Sequence, residues 1–259
     1  NLSSHERTAA RMVNLGVLDL IIRVSQSYPD ELEIQRSCLG CVGNLMNEQS
    51  NAVAFLDKKG HLRVFEIMQE LVFEESVVTT ALKLLKVLAT NTDVATELTI
   101  DGGCKVVAEI MEENKSTEEI LSLGCQAICK MIVTMEAARH VAKDGLCEMI
   151  VEVAKDNNNW ANIQIMNELV KVVVNISSVE ENAQPFARNG AVPLLRSIEA
   201  HKTNAVFLNN AAMALSKLSV HPASSRPLVK RGAIPVILAS MQANPTRKAI
   251  LARYVRALT

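Results

Sequence analysis

Stretches of apolar residues recur along the chain at a regular distance, and each one follows a glycine. The stretches read GVLDLIIRV, GHLRVFEIM, GCKVVAEIM, GLCEMIVEV, GAVPLLRSI and GAIPVILAS, and they begin at Gly16, Gly60, Gly103, Gly145, Gly190 and Gly232. Successive glycines are 42 to 45 residues apart. A period of this length predicts one helical unit copied along the whole chain.

Each unit is predicted to contain three helices. A short first helix ends at the glycine, because glycine tolerates the positive φ of a sharp turn. In the last two units the second helix carries a proline in its first turn, Pro193 or Pro235, where a missing N–H costs little. A longer third helix, such as TALKLLKVLATN, follows a polar break. The predicted repeats of this single domain are 4–47, 48–91, 92–134, 135–178, 179–220 and 221–259.

Three polar pairs are predicted to cap helix starts. They are Asp30 with Glu33, Ser116 with Glu119, and Ser178 with Glu181. In each pair a side-chain acceptor stands three residues before a carboxylate, which is the spacing of a capping box. The first two pairs precede third helices, and the last precedes a first helix.

Composition agrees with an all-α chain. Hydrophobic residues make up 49% and aromatic residues 3%, which favours helices packed through aliphatic side chains over a β-sandwich. The net charge of −1 indicates that the chain as a whole is not a polyanion binder. An electrostatic function would therefore depend on how the charges are distributed.

The cysteines and the chain ends bear on the compartment. Six cysteines lie in apolar helical contexts and are expected to be reduced, buried thiols, which indicates a cytoplasmic or nuclear protein. No apolar run approaches the roughly 18 residues of a transmembrane helix. The chain begins without Met and stops within ILARYVRALT, so we expect a piece of a longer protein. Tethering to a membrane through a lipid on a missing terminus stays open.

No pattern of catalytic or metal-binding residues stands out. Cys38 and Cys41 have ligand-like spacing, but no second cysteine pair or paired histidine accompanies them. The five histidines are dispersed among different repeats. Asp101-Gly-Gly103 lacks the further glycines or the lysine of a phosphate-binding loop. We therefore predict that the chain is not an enzyme and that it holds no metal and no cofactor.

The motifs resemble a known family. GAVPLL and GAIPVI after a short helix, with third helices that contain ALSKLS, NISS or GNLM, are similar to the armadillo repeat over essentially all 259 residues. The resemblance implies an all-α, right-handed α-α superhelix, an armadillo-type solenoid of about six three-helix repeats. In such proteins the third helices line a concave groove, and a ladder asparagine binds the backbone of an extended peptide.

Aligning the third helices on the following glycine places a set of polar residues on one face. The ladder position holds Asn44, Val87, Lys130, Asn175 and Lys217, and the position one turn earlier holds Gly40, Lys83, Gln126, Lys171 and Met213. The predicted partner-binding groove consists of Asn44, Lys83, Lys86, Gln126, Lys130, Lys171, Asn175 and Lys217. Acidic residues are expected elsewhere, in loops such as 112–114, 116–119 and 178–182.

These features favour a protein-interaction scaffold or adaptor that binds an extended, acidic segment in the groove. The alternative is a regulatory or ligand-sensing module of a larger enzyme or a membrane-tethered complex. The lysines can also be read as solvated helix faces without a ligand. Nucleic-acid binding is disfavoured by the low aromatic content, and Trp160, which lies off the ladder, disfavours a nuclear-import receptor. Contact between the ends of two arrays could produce a dimer.

Overall fold

The computed structural model describes residues 6–46 and 48–259. Residues 1–5 and 47, which include His5 and both ends of the first predicted repeat, lie outside the described residues. Within the described ranges all regular secondary structure is helical. The chain forms two compact units, an N-terminal unit, Asn1–Val133, and a C-terminal unit, Thr134–Thr259.

The helices described in the N-terminal unit are α1 (Glu6–Asn14), α2 (Val17–Ser27), α3 (Leu32–Leu45), α4 (Gln49–Asp57), α5 (Gly60–Glu70), α6 (Glu75–Leu88), α7 (Thr92–Ile100), α8 (Gly103–Glu113) and α9 (Glu118–Met131). The three longest of them pack side by side, α3 on α6 and α6 on α9. On α6, Val78, Leu82 and Leu85 are completely buried. The core of this unit therefore lies around its central long helix.

The helices of the C-terminal unit are α10 (Met135–Lys143), α11 (Leu146–Lys155), α12 (Ile163–Ile176), α13 (Glu180–Pro185), α14 (Ala191–Ala200), α15 (Ala205–Ser219), α16 (Pro222–Lys230), α17 (Ala233–Ala243) and α18 (Lys248–Leu258). A 3₁₀ segment spans Asp156–Ala161, and a π-helical segment spans Phe186–Gly190. α15 packs between α12 and α18, and its Phe207 and Leu218 are completely buried.

Each group of three consecutive helices, which we call a triplet, begins with a short helix, and in the first five triplets the third helix is the longest, as predicted. In the last triplet α17 and α18 are both 11 residues long. Pro193 lies in the first turn of α14 and Pro235 in the first turn of α17, as predicted. The third helix of each triplet has 11 to 15 residues. The division of the chain at the six predicted repeat boundaries stays a prediction.

The predicted role of the repeat glycines is correct at only some of them. Gly16, Gly145 and Gly232 adopt positive φ values, between 73° and 90°. In the second and third triplets the positive φ belongs to the preceding residue, Lys59 or Gly102. Gly190 has a φ of −95° and closes the π-helical segment. The prediction of a left-handed turn at every repeat glycine is therefore wrong.

At the three repeat glycines without a positive φ, the absence of a side chain matters for steric reasons. A Cβ added at Gly60 would overlap the ring of Phe55. At Gly103 it would lie 2.7 Å from the carbonyl oxygen of Leu98, and at Gly190 it would lie 2.6 Å from the ring of Phe186. These glycines therefore allow the first and second helices of a triplet to approach closely.

The three predicted capping boxes do not form. The N-cap residues are Glu31 for α3, Thr117 for α9 and Val179 for α13, and none of these side chains accepts a capping hydrogen bond. Each helix begins so that the predicted acceptor lies one residue too early. Side-chain caps occur at other starts, from Asn91 on α7, Thr134 on α10, Asn162 on α12 and Asn204 on α15.

Buried amides connect one helix triplet to the next. Asn182 Nδ2 donates to the carbonyl oxygens of Ala138, at 2.7 Å, and Ile176, at 3.2 Å. Asn51 Nδ2 donates to the carbonyl oxygen of Leu45, again six residues earlier. The bonds to Leu45 and Ile176 reach carbonyl groups at the ends of the long helices α3 and α12, where intrahelical donors are missing, and the bond to Ala138 reaches the first helix of the preceding triplet.

Candidate functional site

The predicted groove residues lie on the long helices of both units, and we call them the third-helix face. In the N-terminal unit the face consists of Asn44, Lys83, Lys86, Gln126 and Lys130, and in the C-terminal unit of Lys171, Asn175 and Lys217. α6 and α9 are neighbours, as are α12 and α15, so each unit brings its own lysines together. The alignment of the long helices accounts for this placement.

Lys83 and Glu119 form an ion pair between α6 and α9. Lys83 Nζ lies 3.1 Å from Glu119 Oε1, and the two side chains are 58% and 53% exposed. Glu119 was expected in a loop away from the lysines, and that expectation is wrong, because the first turn of α9 lies beside α6. One positive charge of the face is thus paired with a carboxylate of the chain itself.

The Lys86 ammonium group also has a partner, the side-chain amide of Gln126. Its Nζ donates to Gln126 Oε1 at 2.6 Å, and Gln126 Nε2 donates onward to Ser122 Oγ at 3.1 Å. Both Lys86 and Gln126 are half-buried. Because an amide does not neutralise the ammonium, Lys86 still contributes its full charge to the face.

Lys130 and Asn44 complete the N-terminal part of the face. Lys130 is exposed in the last turn of α9, and none of the residues that the structure describes pairs with it. Asn44 is half-buried in the last turn of α3. Together with Lys86, Lys130 makes this region of the N-terminal unit locally positive.

In the C-terminal unit both lysines of the third-helix face have partners within the unit. Lys171 Nζ lies 2.6 Å from Glu168 Oε1, and the Glu168 side chain is only 15% exposed. Lys217 Nζ donates to the carbonyl oxygen of Val174 at 2.8 Å and to Ser178 Oγ at 3.2 Å. Burial lowers the pKa of the Lys217 ammonium. Asn175 is half-buried in the last turn of α12.

A second basic surface, which the sequence reasoning missed, lies in the C-terminal unit. Lys155, Trp160, Asn189, Arg196 and Arg231 line a recess of about 340 Å³, which we call the basic recess. The Arg196 guanidinium lies 5.9 Å from the centre of the Trp160 ring. These side chains come from three separate stretches of the sequence, 155–160, 189–196 and position 231, so no local motif reveals the recess.

The cysteines are less uniformly buried than predicted. Cys104, Cys125 and Cys147 are buried, whereas Cys38, Cys41 and Cys129 are half-buried. Burial, together with the nearby Glu148, raises the pKa of the Cys147 thiol to about 12. Burial and the neighbouring Cys41 also raise the pKa of Cys38. Raised thiol pKa values work against a nucleophilic role, because the thiolate is the reactive form.

The other candidate polar groups have structural partners. His61 is fully buried, and its Nε2 lies 2.7 Å from Asp101 Oδ2. Among the described residues, no group of three or more His, Cys, Asp or Glu side chains could hold a metal ion. None of the helices described is both long and apolar enough to cross a bilayer.

Comparisons with known proteins identify the family and the fold. The sequence profile of the GAC ARM domain matches residues 1–178. No curated protein sequence matches the chain. A designed armadillo repeat protein, YIII(Dq)4CqI, has a TM-score of 0.73 and 17% identity over 93% of this chain and 98% of its own.

Two further solved structures are similar. A designed armadillo repeat protein in complex with the peptide (KR)4 has a TM-score of 0.72 and 16% identity, over 92% of this chain and 99% of its own. Computationally designed armadillo repeat proteins for modular peptide recognition give a TM-score of 0.75 and 16% identity, over 93% and 98%. These likenesses confirm the predicted fold class, an armadillo-type solenoid of about six three-helix repeats.

Proposed function

We propose that this chain, which belongs to the GAC ARM domain family of armadillo-repeat proteins, is a non-enzymatic scaffold or adaptor for protein–protein interaction. Its ligand would be an extended, acidic segment of a partner protein that lies along the third-helix face. The observation that carries this proposal is the positive region formed by Lys86 and Lys130 on two adjacent helices, beside the exposed Lys83–Glu119 pair.

The charges in the N-terminal unit are available to a ligand at low cost. The Lys83–Glu119 pair is exposed on both sides, and exposed ion pairs contribute only about 0–1 kcal/mol. A carboxylate of the ligand can therefore take the place of Glu119 beside Lys83. Lys130 can receive a second carboxylate, because no described side chain pairs with it.

Amide groups among the residues of the third-helix face, taken unit by unit, suit an extended backbone. An extended peptide exposes N–H and C=O groups at regular intervals, and a carboxamide can both donate to and accept from them. Asn44 and Gln126 supply such groups in the N-terminal unit, and Asn175 supplies one in the C-terminal unit.

Lys171 pairs with the largely buried Glu168 and Lys217 binds a backbone carbonyl, whereas the Lys83–Glu119 pair is exposed on both sides and Lys130 has no described partner. We therefore expect the N-terminal lysines to contribute more to affinity.

The similar designed proteins support a peptide ligand but not its charge. One of them is in complex with the peptide (KR)4, which is basic, and others were designed for modular peptide recognition. The third-helix face of this chain carries lysines. Charge complementarity therefore favours an acidic segment here.

The proposal is tested by charge reversal on the third-helix face. Bait proteins are the unchanged chain and the double variant Lys83→Glu/Lys130→Glu, and partners are captured from lysate at low and moderate salt. We expect a partner with an acidic segment whose capture falls about tenfold or more with the variant and weakens with salt.

A matched control distinguishes the face from overall charge. Lys105→Glu/Lys115→Glu makes the same charge change in the N-terminal unit, at lysines on and just after α8 that pair weakly with Glu109 and Glu112. This control should keep the partner. If every partner binds equally to both double variants and to the unchanged chain, the third-helix face is not the binding site.

A further inference from the structure

The C-terminal part of the chain is far more basic than its net charge suggests. Residues 182–259 contain eleven Lys and Arg side chains and one acidic side chain, Glu199. The complete chain has a net charge of −1. A charge excess of this size attracts anions locally, whatever the total charge of the protein.

Five side chains from separate elements converge on the basic recess. Lys155 ends α11, Trp160 belongs to the 3₁₀ segment and Asn189 to the π-helical segment. Arg196 comes from α14, and Arg231 directly follows α16. Because helices, short helical segments and the turn after α16 hold these backbones, the positions of the cationic groups are set by the fold.

The recess arginines lack acidic partners. No carboxylate of the described residues forms an ion pair with Arg196 or Arg231, whereas Lys155 Nζ lies 2.8 Å from Glu152 Oε1. Arg231 Nη2 donates to the carbonyl oxygen of Arg188 at 3.1 Å, which orients its guanidinium. This contrasts with the third-helix face, where Lys83 and Lys171 are paired with carboxylates.

Further cations continue from the recess along the same surface. Asn189 and Arg231 also border a neighbouring depression that includes Arg188 and Lys230, and these two side chains border a third depression with Arg226. All three are exposed, and none has an acidic partner among the described residues. The recess is thus one end of a continuous basic strip.

We propose that the basic recess binds the phosphate group of a phosphorylated side chain in a protein partner, whose flanking acidic residues lie along the basic strip. A phosphomonoester carries a charge of about −1.5 to −2 and three strong acceptor oxygens. Two unpaired guanidinium groups match that charge and that number of acceptors better than they match one carboxylate. This site is separate from the third-helix face and does not depend on it.

The composition of the recess favours a phosphorylated protein over a nucleic acid. Single-stranded nucleic acids bind through several aromatic side chains on which bases stack. Trp160 is the only aromatic residue of the recess, and Arg196 lies over its ring. A single phosphate with acidic neighbours fits this arrangement, because it needs cations and donors and no stacking surface.

Trp160 is the only tryptophan of the chain, so its fluorescence reports directly on the recess. The complete chain is titrated with a short peptide that carries one phosphoserine between glutamate and glycine residues, and with the same peptide carrying serine. We expect the phosphopeptide to change Trp160 fluorescence and to bind at least about tenfold more tightly than the serine peptide.

Variants locate the binding. Arg196→Glu/Arg231→Glu should reduce phosphopeptide affinity about tenfold or more, and Arg196→Gln/Arg231→Gln serves if the reversal disturbs the helical circular dichroism. Arg139→Glu/Lys143→Glu, the same charge change on α10 away from the recess, should leave affinity unchanged. For these variants an anisotropy label on the peptide replaces Trp160 fluorescence as the readout, since Arg196 touches the ring.

Three results would overturn the proposal. One is equal affinity for the phosphoserine and serine peptides, and another is unchanged phosphopeptide affinity in the recess variants. The third is a single-stranded oligonucleotide that binds more tightly than the phosphopeptide and loses affinity in the same variants, which would assign the recess to nucleic acid. The Lys83→Glu/Lys130→Glu variant should bind the phosphopeptide normally, so failure of the proposed function leaves this test intact.

Discussion

At the scale of single residues, the glycine that joins the first and second helices of a triplet meets one of two needs. Gly16, Gly145 and Gly232 have positive φ, whereas Gly60, Gly103 and Gly190 stand where a side chain would not fit. The sequence shows the same letter at all six positions. Which need applies depends on a bulky neighbour, such as Phe55 or Phe186, that folds back onto the glycine.

Gly60→Ala should destabilise the chain. The added methyl group would overlap the buried ring of Phe55, and overpacking of this kind costs about 1–3 kcal/mol. Gly43→Ala in α3 is the matched control, because a Cβ there meets nothing within 4 Å. Removing a glycine from a helix interior should stabilise it by about 0.5–1 kcal/mol. Urea unfolding should shift to lower denaturant for Gly60→Ala and to higher denaturant for Gly43→Ala; shifts of the same sign would contradict this explanation.

The lysines of the third-helix face show what a single sequence can reveal about a site. The period of the repeat places Lys83, Lys130, Lys171 and Lys217 on long helices, and the structure agrees. Their partners are not visible in that pattern. Glu119 is 36 residues from Lys83, and Ser178, which receives a hydrogen bond from Lys217, stood out only as a predicted cap. Pairing of this kind depends on how neighbouring triplets pack.

At the scale of helices, the existence and order of the elements follow from the period, whereas their exact starts do not. The predicted capping boxes fail by one residue, because Glu31, Thr117 and Val179 occupy the N-cap positions. A shift of one residue moves a side-chain acceptor out of reach of the N2 and N3 amides. Asparagine, at Asn91, Asn162 and Asn204, provides most of the side-chain caps instead.

Asn182→Ala should destabilise the C-terminal unit more than the loss of a helix cap. Asn182 is buried, and its Nδ2 donates to the carbonyl oxygens of both Ala138 and Ile176. The variant loses both hydrogen bonds, and each lost bond costs about 0.5–1.5 kcal/mol, so the two together should exceed the cost of one cap. Asn204→Ala removes only the N-cap of α15 and should cost about 1 kcal/mol. Thermal unfolding of the two variants provides the comparison, and a smaller loss for Asn182→Ala would show that the buried amide does not connect the triplets energetically.

At the scale of the whole molecule, the net charge of −1 is the sum of an acidic N-terminal unit and a basic C-terminal unit. Residues 1–133 contain twelve basic and nineteen acidic side chains, and residues 134–259 contain fifteen basic and nine acidic side chains. The fold could be predicted because each repeat carries its own signal in local spacing. The basic recess could not be predicted, because its side chains come from three separate stretches of the chain between residues 155 and 231. Its charge excess, however, is present in the sequence of residues 182–259.

The effect of Gly60→Ala should stay local along the chain. In repeat arrays each unit contacts its neighbours, so stability is close to a sum of unit and nearest-neighbour contributions. Gly60 begins α5, which packs against α2, α4, α6 and α8. Hydrogen exchange of the variant should therefore be faster in α4–α6 and in the helices that touch them, while α15–α18 in the C-terminal unit keep the exchange rates of the unchanged chain.

The reciprocal variant, Asn182→Ala, should accelerate exchange around α10, α12 and α13 and leave α3–α6 unchanged. A uniform increase over all helices in either variant would mean that the chain opens as one cooperative body, and nearest-neighbour addition would then not describe its stability.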